Sequence, residues 1–478
     1  MLVQDTIERA ALVVPEKVAL RHGDRAWTYR QLRDERDRRA GVLIDAGFGV
    51  GERLVVAERV SDEQVLDYLA CGRVGGIFAG LSALLTPTEL GGLTERILPA
   101  IVLTTSGLPQ DGLAAPQTLS LSLPGTPGEA ALREAARRSV AARADDPCEI
   151  RPTSGTVGSR PKLVVTAHRT HGSRCSAAAW TSAQEQVFAP LARASLQMGA
   201  ICRTFAVGGL VMLPQTIGIY GLEAELARHG VTDVAITPAL LRALIGQEQP
   251  APASLCLQRV QTQGAAVSRE LRRAIAARYG ATLMERYGMT ECVGVMASPT
   301  SGAPVGSVGK SDGGVILQIL DGEGCQVADG EVGELVVCSP TMMLGYLDEP
   351  EATAAVLRDG WLRTGDNAWR DAEGFYYLVG RRALQINVGS MKVAPEEVEE
   401  VLLRHPGVRE VVIVPQPDRT RGEIVKAIVV PEGPPPEVAA LRRFCRAELA
   451  GYKVPRVIVF RDEPLPRSER GKVLRQQV

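Results

Sequence analysis

Two patterns of apolar residues alternate near the N-terminus, and this alternation limits the possible folds more than any other feature of the sequence. In residues 28–46 the apolar residues recur at helical spacing among many charges. Residues 53–60 (RLVVAERV) have the pattern of a strand, and a second helical stretch follows to about residue 70. Repeated alternation of strand and helix is typical of a largely parallel sheet with helices on its faces. The sequence therefore predicts an α/β fold.

The pattern of apolar residues and turns changes in the later parts of the chain, which indicates further structural units. With 478 residues, the chain exceeds the size at which one hydrophobic core stops growing, so we expect at least two domains. Residues 315–339 contain two short strand-like runs, VILQIL and GELVVCS, separated by turns rich in glycine and acidic residues. We therefore predict a small β-rich unit after the α/β lobes.

A separate small domain is predicted at the C-terminal end. Four segments after residue 382 have a regular pattern, two of them helical (395–404 and 436–449) and two strand-like (410–414 and 424–430). These segments are enough for an α+β domain of about the smallest usual size. We place a hinge near residues 380–383, so that residues 1–380 form a large N-terminal domain with several lobes and residues 381–478 form the C-terminal domain.

The composition excludes several classes of function. The 54 Lys and Arg residues nearly balance the 55 Asp and Glu residues, whereas a nucleic-acid or membrane-surface protein usually carries a basic excess. Nine cysteines occur without a C-x-x-C pair, which argues against a zinc site or a disulfide framework. The N-terminus lacks the features of a secretory signal, and no apolar run is long enough to span a bilayer. We therefore predict a cytoplasmic protein without nucleic-acid or membrane partners.

The segment TSGTVGSRPK, residues 153–162, has the composition of a phosphate-binding loop. Glycines let backbone N–H groups approach a polyphosphate, hydroxyls add donors, and the final lysine supplies a positive charge. The spacing does not fit the Walker A motif, and an ordinary turn rich in serine and glycine is the alternative. The candidate ligands are Thr153, Ser154, Gly155, Thr156, Gly158 and Lys162.

Five further segments follow this loop in a recognisable order. They are YGMTE (287–291), GELVVCSPTMMLGY (333–346), GWLRTGD (360–366), GRRALQINVGSMKVAPEEVEE (380–400) and LPRSERGK (465–472). Together with the loop, they resemble the ordered motifs of the superfamily of acyl-CoA synthetases, nonribosomal peptide synthetase adenylation domains and luciferases. The N-terminal WTYRQLRDERDRRA and LACGRVGGIFAGL segments are similar too, so the likeness covers nearly the whole chain. It implies a large N-terminal domain that binds ATP and substrate, a small mobile C-terminal lid, and adenylation of a carboxylate with release of pyrophosphate.

The resemblance also implies roles for the residues of the YGMTE segment. Tyr287 would stack on adenine, with Gly288 beside it in the ATP site. Thr290 would contact the α-phosphate, and Glu291 would help to hold Mg²⁺, a cation that prefers oxygen ligands. Met289 is a candidate for the substrate pocket.

A turn of small residues would pass close to the adenine and the substrate carboxylate. By resemblance, this turn contains Gly264 and Ala265, whose small side chains permit a close approach of the backbone. The preceding Gln263 is a candidate pocket residue, and a solvated turn glutamine is the alternative.

Three charged residues would complete the ATP site and the catalytic machinery. Asp366 resembles the carboxylate that accepts hydrogen bonds from the ribose hydroxyls, and Arg381 resembles the arginine that shares this task. Lys472 matches the lysine that the lid inserts during adenylation, where its charge stabilises the transition state.

One departure from the family pattern concerns the substrate. In FAPLARASLQMG (188–199), Arg193 stands where the family often has an aromatic residue or a histidine, and Gln197 of the same segment is a further candidate for the substrate pocket. An arginine in the pocket predicts a polar or anionic group on the substrate, because its planar fork pairs with oxyanions. The alternative is that Arg193 points outward from a surface helix.

Other departures concern the second step of the reaction. The phosphate loop is one residue longer than in the family, with Ser159 and Arg160 in place of a single residue. Ala383 stands at the pivot of the lid, where the family commonly has an aspartate or a lysine. Ser390 stands where the family usually has a glycine in the tunnel for the thiol arm. We predict an AMP-forming acid–thiol ligase for a small polar or aromatic carboxylic acid, using ATP and Mg²⁺, with CoA or a carrier protein as acceptor. Ala383 and Ser390 leave open transfer to nitrogen instead, to form an amide or an N–N bond from an oxyanion such as nitrite. A third class, a non-catalytic sensor, has no need for Lys472.

Overall fold

The structure is a computed structural model that describes most of the chain. The described residues are 2–58, 61–82, 85–104, 117–120, 127–153, 161–175, 186–191, 198–215, 219–263, 269–298, 303–304, 306–311, 314–381, 386–389, 391–393 and 395–466. After a 3₁₀ turn at Val3–Ile7, the helices are α1 (Glu8–Val13), α2 (Tyr29–Asp45), α3 (Asp62–Val74), α4 (Pro87–Ile97), α5 (Glu129–Ala141), α6 (His168–Cys175), α7 (Met198–Ala206), α8 (Leu222–Arg228), α9 (Pro238–Ile245), α10 (Arg269–Tyr279), α11 (Pro350–Val356), α12 (Pro395–Leu403) and α13 (Val438–Glu448).

The largest sheet has a parallel centre and antiparallel edges. Its strands are β1 (Val18–His22), β2 (Arg25–Thr28), β9 (Val187–Pro190), β10 (Leu210–Leu213), β11 (Asp233–Ala235), β12 (Arg259–Gln263), β13 (Thr282–Met289), β14 (Cys292–Ser298) and β15 (Lys310–Ser311). They run in the order β15-β14-β13-β12-β11-β9-β10-β1-β2, and every neighbouring pair from β13 to β1 is parallel. Strand β13 continues into an antiparallel hairpin with β14, which carries the YGMTE segment at its turn.

A second sheet of the same kind carries the candidate phosphate loop. Its strands are β3 (Arg53–Glu58), β4 (Ile77–Ser82), β5 (Ile101–Thr104), β6 (Gln117–Ser120), β7 (Pro147–Pro152), β8 (Leu163–Ala167) and β18 (Gly345–Tyr346). The order is β18-β8-β7-β4-β3-β5-β6, with β7, β4, β3, β5 and β6 parallel and β8 antiparallel to β7.

A layer of helices lies between these two sheets and buries apolar side chains against both. One continuous core contains Leu32 of α2 and Leu69 of α3 together with Leu54 of the second sheet and Leu213 of the first. Helix α2 starts where Thr28 accepts a hydrogen bond from the N–H of Gln31 and the Gln31 side chain accepts one from the N–H of Thr28. Burial of apolar area on both sides makes this layer the centre of the N-terminal α/β region.

A β-rich unit follows the α/β lobes, as the sequence predicts. Its antiparallel strands are β16 (Ile316–Leu320), β17 (Gly333–Cys338), β19 (Leu357–Arg358), β20 (Trp361–Arg370) and β21 (Tyr376–Arg381). Its core includes Leu335 and Leu362 and extends to Tyr287 of β13 and Tyr346 of β18. The β-rich unit therefore joins the two α/β sheets at the place where the motif residues lie.

Residues 386–466 form a further unit with its own core, here called the C-terminal unit. Its strands are β22 (Ile386–Val388), β23 (Met391–Val393), β24 (Val408–Asp418), β25 (Gly422–Pro431) and β26 (Val457–Phe460). Helices α12 and α13 cover one face of this sheet, with Leu402 and Leu441 packed against Val425 and Val429.

The predicted α/β fold with a β-rich unit and a C-terminal α+β unit is confirmed. The boundary at residue 380 and the mobility of the C-terminal domain stay predictions, and residues 382–385 at the predicted hinge lie outside the described residues. Among the helices that the structure describes, none combines the length and the apolar character needed to cross a membrane.

Candidate functional site

The two ends of the candidate phosphate loop are joined by a hairpin. Strands β7 and β8 pair up to Pro152 and Leu163. Just beyond them, the N–H of Thr153 donates to the carbonyl of Lys162 at 2.7 Å, and the N–H of Lys162 donates to the hydroxyl of Thr153 at 3.0 Å. Ser154, Gly155, Thr156 and Gly158 lie outside the described residues. The hairpin therefore fixes the base of the loop and the starting point of the Lys162 side chain.

Tyr346 links Lys162 to Glu291. The Lys162 ammonium lies 4.4 Å from the centre of the Tyr346 ring, a distance at which a cation is attracted to the ring face. The Tyr346 hydroxyl donates to Oε1 of Glu291 at 2.9 Å. Pairing of Tyr346 with Val164 places the tyrosine one strand away from the loop base. Sequence reasoning assigned no role to Tyr346, although it ends one of the recognised segments.

Glu291 lies in a tight turn that presents two candidate residues together. Met289 and Cys292 pair across the β13–β14 hairpin, so Thr290 and Glu291 form its connection. The carbonyl of Glu291 accepts a hydrogen bond from the N–H of Met343 at 2.8 Å, which ties the turn to the segment that leads to Tyr346. Met289, proposed for the substrate pocket, packs against the core of the β-rich unit.

Tyr287 and Asp366, from two different motifs, bond to each other. The Tyr287 hydroxyl donates to Oδ2 of Asp366 at 2.5 Å, and the two residues are 9% and 5% exposed. The N–H of Asp366 donates to the hydroxyl of Thr364, which itself donates to the carbonyl of Leu335 at 2.7 Å. Asp366 is thus held from within the core of the β-rich unit. Gly288 follows Tyr287 in β13.

Other candidate residues are placed only in part. The backbone of Arg381 pairs with that of Asp366 across β20 and β21, and the structure does not describe the Arg381 side chain. Gln263 ends β12 opposite Arg286, and its side chain is exposed. The candidates outside the described residues are Gly264, Ala265, Arg193, Gln197 and Lys472, together with the departures Ser159, Arg160, Ala383 and Ser390.

Arg96 of α4 anchors the other side of the loop base. One of its terminal nitrogens donates to the carbonyl of Pro161 at 2.5 Å, and the other lies 2.9 Å from Oε1 of Glu349. The carbonyl that it binds immediately precedes Lys162. Sequence reasoning missed Arg96, because its partners lie 65 and 253 positions away and no local pattern signals such contacts.

A largely buried set of polar side chains, here called the inner network, supports strand β7 below the loop. It consists of Glu149, Arg151 and His171. Glu149 lies 2.7 Å from Nε of Arg151 and 3.1 Å from Nε2 of His171. Burial alone would raise the pKa of Glu149, but the charge of Arg151 and the hydrogen bond to His171 lower it to about 2. Glu149 is therefore ionised at neutral pH, and its contact with His171 connects β7 to α6.

The described residues fit a nucleotide with magnesium. Mg²⁺ in nucleotide sites usually binds one or two carboxylates and takes its other ligands from phosphates and water. Glu291 supplies one carboxylate, and Lys162 supplies an ammonium beside the same tyrosine. No group of three or more His, Cys, Asp or Glu side chains that could hold a metal occurs in the described part of the chain. A magnesium ion here would therefore depend on phosphate oxygens for most of its ligands.

Comparison with known proteins places this site in a family. Residues 7–347 match the model of the AMP-binding enzyme family, and residues 397–472 match that of the AMP-binding enzyme C-terminal domain. The feruloyl-CoA synthase of Amycolatopsis sp is 31% identical over 484 residues, which span 98% of this chain and 97% of that protein.

Solved structures of two proteins have the same fold. One is the o-succinylbenzoate CoA synthetase MenE from Bacillus subtilis. A double mutant of MenE bound to its product analogue OSB-NCoA is 26% identical to this chain, with a TM-score of 0.87, and the match covers 99% of this chain and 97% of that chain. MenE in complex with ATP and magnesium is 25% identical with a TM-score of 0.71, covering 99% and 98%. The other is the amide bond synthetase McbA from Marinactinospora thermotolerans, 27% identical with a TM-score of 0.87, covering 100% and 99%.

The family models cover most of the chain, and a relative above 30% identity spans nearly all of it. Use of ATP and magnesium is a trait of this family, as the nucleotide-bound complex of MenE illustrates. The chain therefore belongs to the AMP-binding enzyme family, within the adenylate-forming superfamily, and is an AMP-forming ligase.

Proposed function

We propose that this enzyme uses ATP and Mg²⁺ to adenylate a small polar or aromatic carboxylic acid, and then transfers the acyl group to the thiol of CoA or of a carrier protein. The observation that carries this proposal is the chain of contacts from Lys162 through Tyr346 to Glu291. These contacts bring an ammonium, a carboxylate and the base of a glycine-rich loop together, as a magnesium-bound polyphosphate requires.

The protein acts in adenylation by positioning and by charge rather than as a nucleophile. Lys162 neutralises phosphate charge at the loop base, and Thr290 lies beside Glu291 to contact the α-phosphate. Mg²⁺ held by Glu291 would supply further neutralisation of the phosphates. Lys472 brings a positive charge to the α-phosphate as the carboxylate attacks and pyrophosphate leaves.

The bond from Tyr287 to Asp366 prepares Asp366 for the nucleotide. A carboxylate can accept about four hydrogen bonds, so the group that accepts from Tyr287 can also accept from ribose hydroxyls. Stacking of the Tyr287 ring on adenine, and a share of the ribose contacts for Arg381, remain parts of the proposal.

The position of the C-terminal unit bears on which step of the reaction this structure represents. The TM-score is 0.87 against MenE with a product analogue and 0.71 against MenE with ATP and magnesium, although sequence identity is nearly the same. Both structures are of one synthetase, the first a double mutant, and we attribute the difference in score to a different arrangement of its parts. We infer that the arrangement in this protein is the one used for transfer of the acyl group.

Two observations bear on the nature of the acid. The name of the feruloyl-CoA synthase relative supports an aromatic acid. Arg193 supports a polar or anionic substituent, because its guanidinium pairs with oxyanions. Gln197, Gln263, Gly264 and Met289 remain candidates for the rest of the pocket.

The test is release of pyrophosphate from ATP across a panel of aryl, fatty, dicarboxylic and inorganic oxyanion substrates, with and without CoA. We expect an aromatic or polar acid to give the highest rate and a thioester to form when CoA is present. Lys472→Ala should slow pyrophosphate release by about a hundredfold or more with little change in ATP affinity. Absence of acid-dependent pyrophosphate release across the panel would refute the proposal.

Transfer to nitrogen is the second candidate, and the similarity to the amide bond synthetase McbA favours it. Ala383 and Ser390 favour it too, because both depart from the pattern expected for the thioester step. The same panel with amines in place of CoA distinguishes the two. An amide product without any thioester would select this candidate, and the same comparison with nitrite and an amine tests formation of an N–N bond.

A further inference from the structure

The C-terminal unit is bonded to the N-terminal end of helix α4 through one buried lysine. Lys453 donates to Oε1 of Glu89 at 2.8 Å, although the two residues are 364 positions apart in the sequence. It also donates to Oε1 of Glu397 of α12 at 2.7 Å. Lys453 is only 6% exposed, so these contacts are largely protected from water.

Contacts within helix α4 itself orient the carboxylate of Glu89. Its Oε2 accepts a hydrogen bond from the N–H of Thr86, the residue that caps α4, while Thr86 accepts one from the N–H of Glu89. This leaves Oε1 directed toward the C-terminal unit, where it also accepts from the N–H of Ala450 at 3.3 Å. The first turn of α4 thus offers Oε1 of Glu89 as a hydrogen-bond acceptor to the segment around Lys453.

The charges are arranged to keep Lys453 protonated. Burial opposes its charge, but the neighbouring Tyr452 and the two carboxylates together raise its pKa above the usual value. One ammonium therefore bridges two carboxylates, one from each side of the contact.

Helix α4 is itself attached to the active site. Glu89 and Arg96 are seven residues apart, which is about two helical turns, so they lie on the same side of the helix. Arg96 binds the carbonyl of Pro161 at the base of the phosphate loop. The contact with Lys453 is therefore made to the framework that holds Lys162, rather than to a loose surface element.

We propose that Glu89, Lys453 and Glu397 form a latch that holds the C-terminal unit in the arrangement used for acyl transfer. This inference rests on the proposed function, which relates the described arrangement to the second step. Lys453 is then a positioning residue for that step, because it acts through the orientation of the whole unit. Rotation of the unit to bring Lys472 to the nucleotide would separate Lys453 from Glu89.

The test compares the two half-reactions in latch variants. Pyrophosphate release in a single turnover without acceptor measures adenylation, and decay of the preformed adenylate after addition of CoA, or of the amine if that is the acceptor, measures transfer. For the most active acid of the panel, we expect Lys453→Met to slow transfer at least tenfold and to leave adenylation unchanged or faster. Glu89→Gln, which keeps size and removes charge, should act in the same direction.

Two further variants separate positioning from a general loss of structure. Lys453→Arg retains a charge between the carboxylates and should keep the transfer rate within about threefold of the wild type. Arg404→Met removes an exposed charge from the same unit and should alter neither half-reaction. Equal slowing of both half-reactions by Lys453→Met, or unchanged transfer in both latch variants, would overturn the proposal.

A distance measurement decides the matter without any acid substrate. Spin labels carried by noncanonical amino acids at the exposed positions 129 and 443 report the arrangement by pulsed electron resonance. With AMP alone, the wild type and Arg404→Met should give one main distance, and Lys453→Met should add a second population. Identical distributions in all three would overturn the latch. If no acid releases pyrophosphate, the proposed function fails, and this distance result still tells whether the latch holds the unit.

Discussion

The inner network and the latch both consist of ionic contacts between side chains. The inner network lies inside one packed region, and the latch lies at the contact between two units. The inner network joins one carboxylate to Arg151 and His171, and the latch joins two carboxylates to Lys453, with contacts of 2.7–3.1 Å in both. The inner network connects β7 to α6 within one α/β region, whereas the latch connects α4 to the C-terminal unit. Because the contact distances are similar, we infer that the location of a buried ion pair decides whether its removal lowers stability or changes the arrangement of the units.

The physical reason is access to water. A charge left without its partner in the centre of a packed region stays desolvated until that region unfolds, so its cost appears as lost stability. A charge left without its partner at a contact between two units can be hydrated when the units separate. Removal of the partner therefore shifts the arrangement of the units and lowers the unfolding free energy less. Variants of the inner network should therefore lose mainly stability, and variants of the latch should change mainly the arrangement of the two units.

Removal of the charge of Glu149 should give the largest loss of stability. In Glu149→Gln, the buried His171 and the partly buried Arg151 lose their carboxylate partner, which should lower the free energy of unfolding by about 3–5 kcal/mol. Urea denaturation followed by circular dichroism measures this change. Glu129→Gln, which removes an exposed partner of Arg133, is the matched control and should change stability little. Equal stability of the two variants would contradict the contrast.

The same carboxylate predicts how stability depends on acid. Because the folded pKa of Glu149 is lowered to about 2, its contribution is complete above the unfolded value near 4.3 and is lost as the pH falls toward 2. The difference in unfolding free energy between wild type and Glu149→Gln should therefore shrink by about 2 kcal/mol between pH 6 and about pH 2.5. Denaturation curves between pH 6 and about pH 2.5 test this. A constant difference over that range would show that the charge of Glu149 is not the source of the stability.

Local sequence patterns predict the elements of this fold well. The alternation near the N-terminus corresponds to α2, β3 and α3, and the four C-terminal segments correspond to α12, β24, β25 and α13. Each of these elements has a periodic apolar face that the sequence displays directly. The short strand β6 lies in a segment rich in Pro, Gly, Ala and Ser, and the sequence does not reveal it, because four residues are too few for a periodic signal.

Contacts between distant segments are the part that sequence reasoning could not supply. The motif resemblance identified Glu291, Tyr287 and Asp366, and the structure brings Tyr287 and Asp366 into a direct bond. The motif resemblance gave no indication that Tyr346 lies between Glu291 and Lys162. The latch was missed for the same reason, since Glu89 looks like an ordinary first-turn glutamate and its partner is hundreds of residues away.

The stability cost of breaking the latch should lie below that of breaking the inner network. Methionine in Lys453→Met keeps the apolar stem and its packing, and the two carboxylates become hydrated once the units separate. We expect a loss of about 1–2 kcal/mol in the unfolding free energy, in contrast to the marked loss of transfer activity. Differential scanning calorimetry, which can resolve separate transitions, provides the measurement. A loss as large as that of Glu149→Gln would mean that the latch is part of the folded core and not a separable contact.

The smallest effect is expected at an ion pair of the C-terminal unit that lies in water. Arg404 pairs with Glu448 near the latch, but its side chain is 53% exposed. Exposed pairs contribute little, because water solvates both charges and salt screens their attraction. Arg404→Met should therefore change the unfolding free energy by less than about 0.5 kcal/mol, and 1 M salt should remove even this difference. The effect of Lys453→Met on the distance distribution should persist at the same salt concentration, since a buried pair is screened far less. If high salt released the C-terminal unit in the wild type, burial would not be what distinguishes the latch, and the contact would be governed by surface charge like the Arg404 pair.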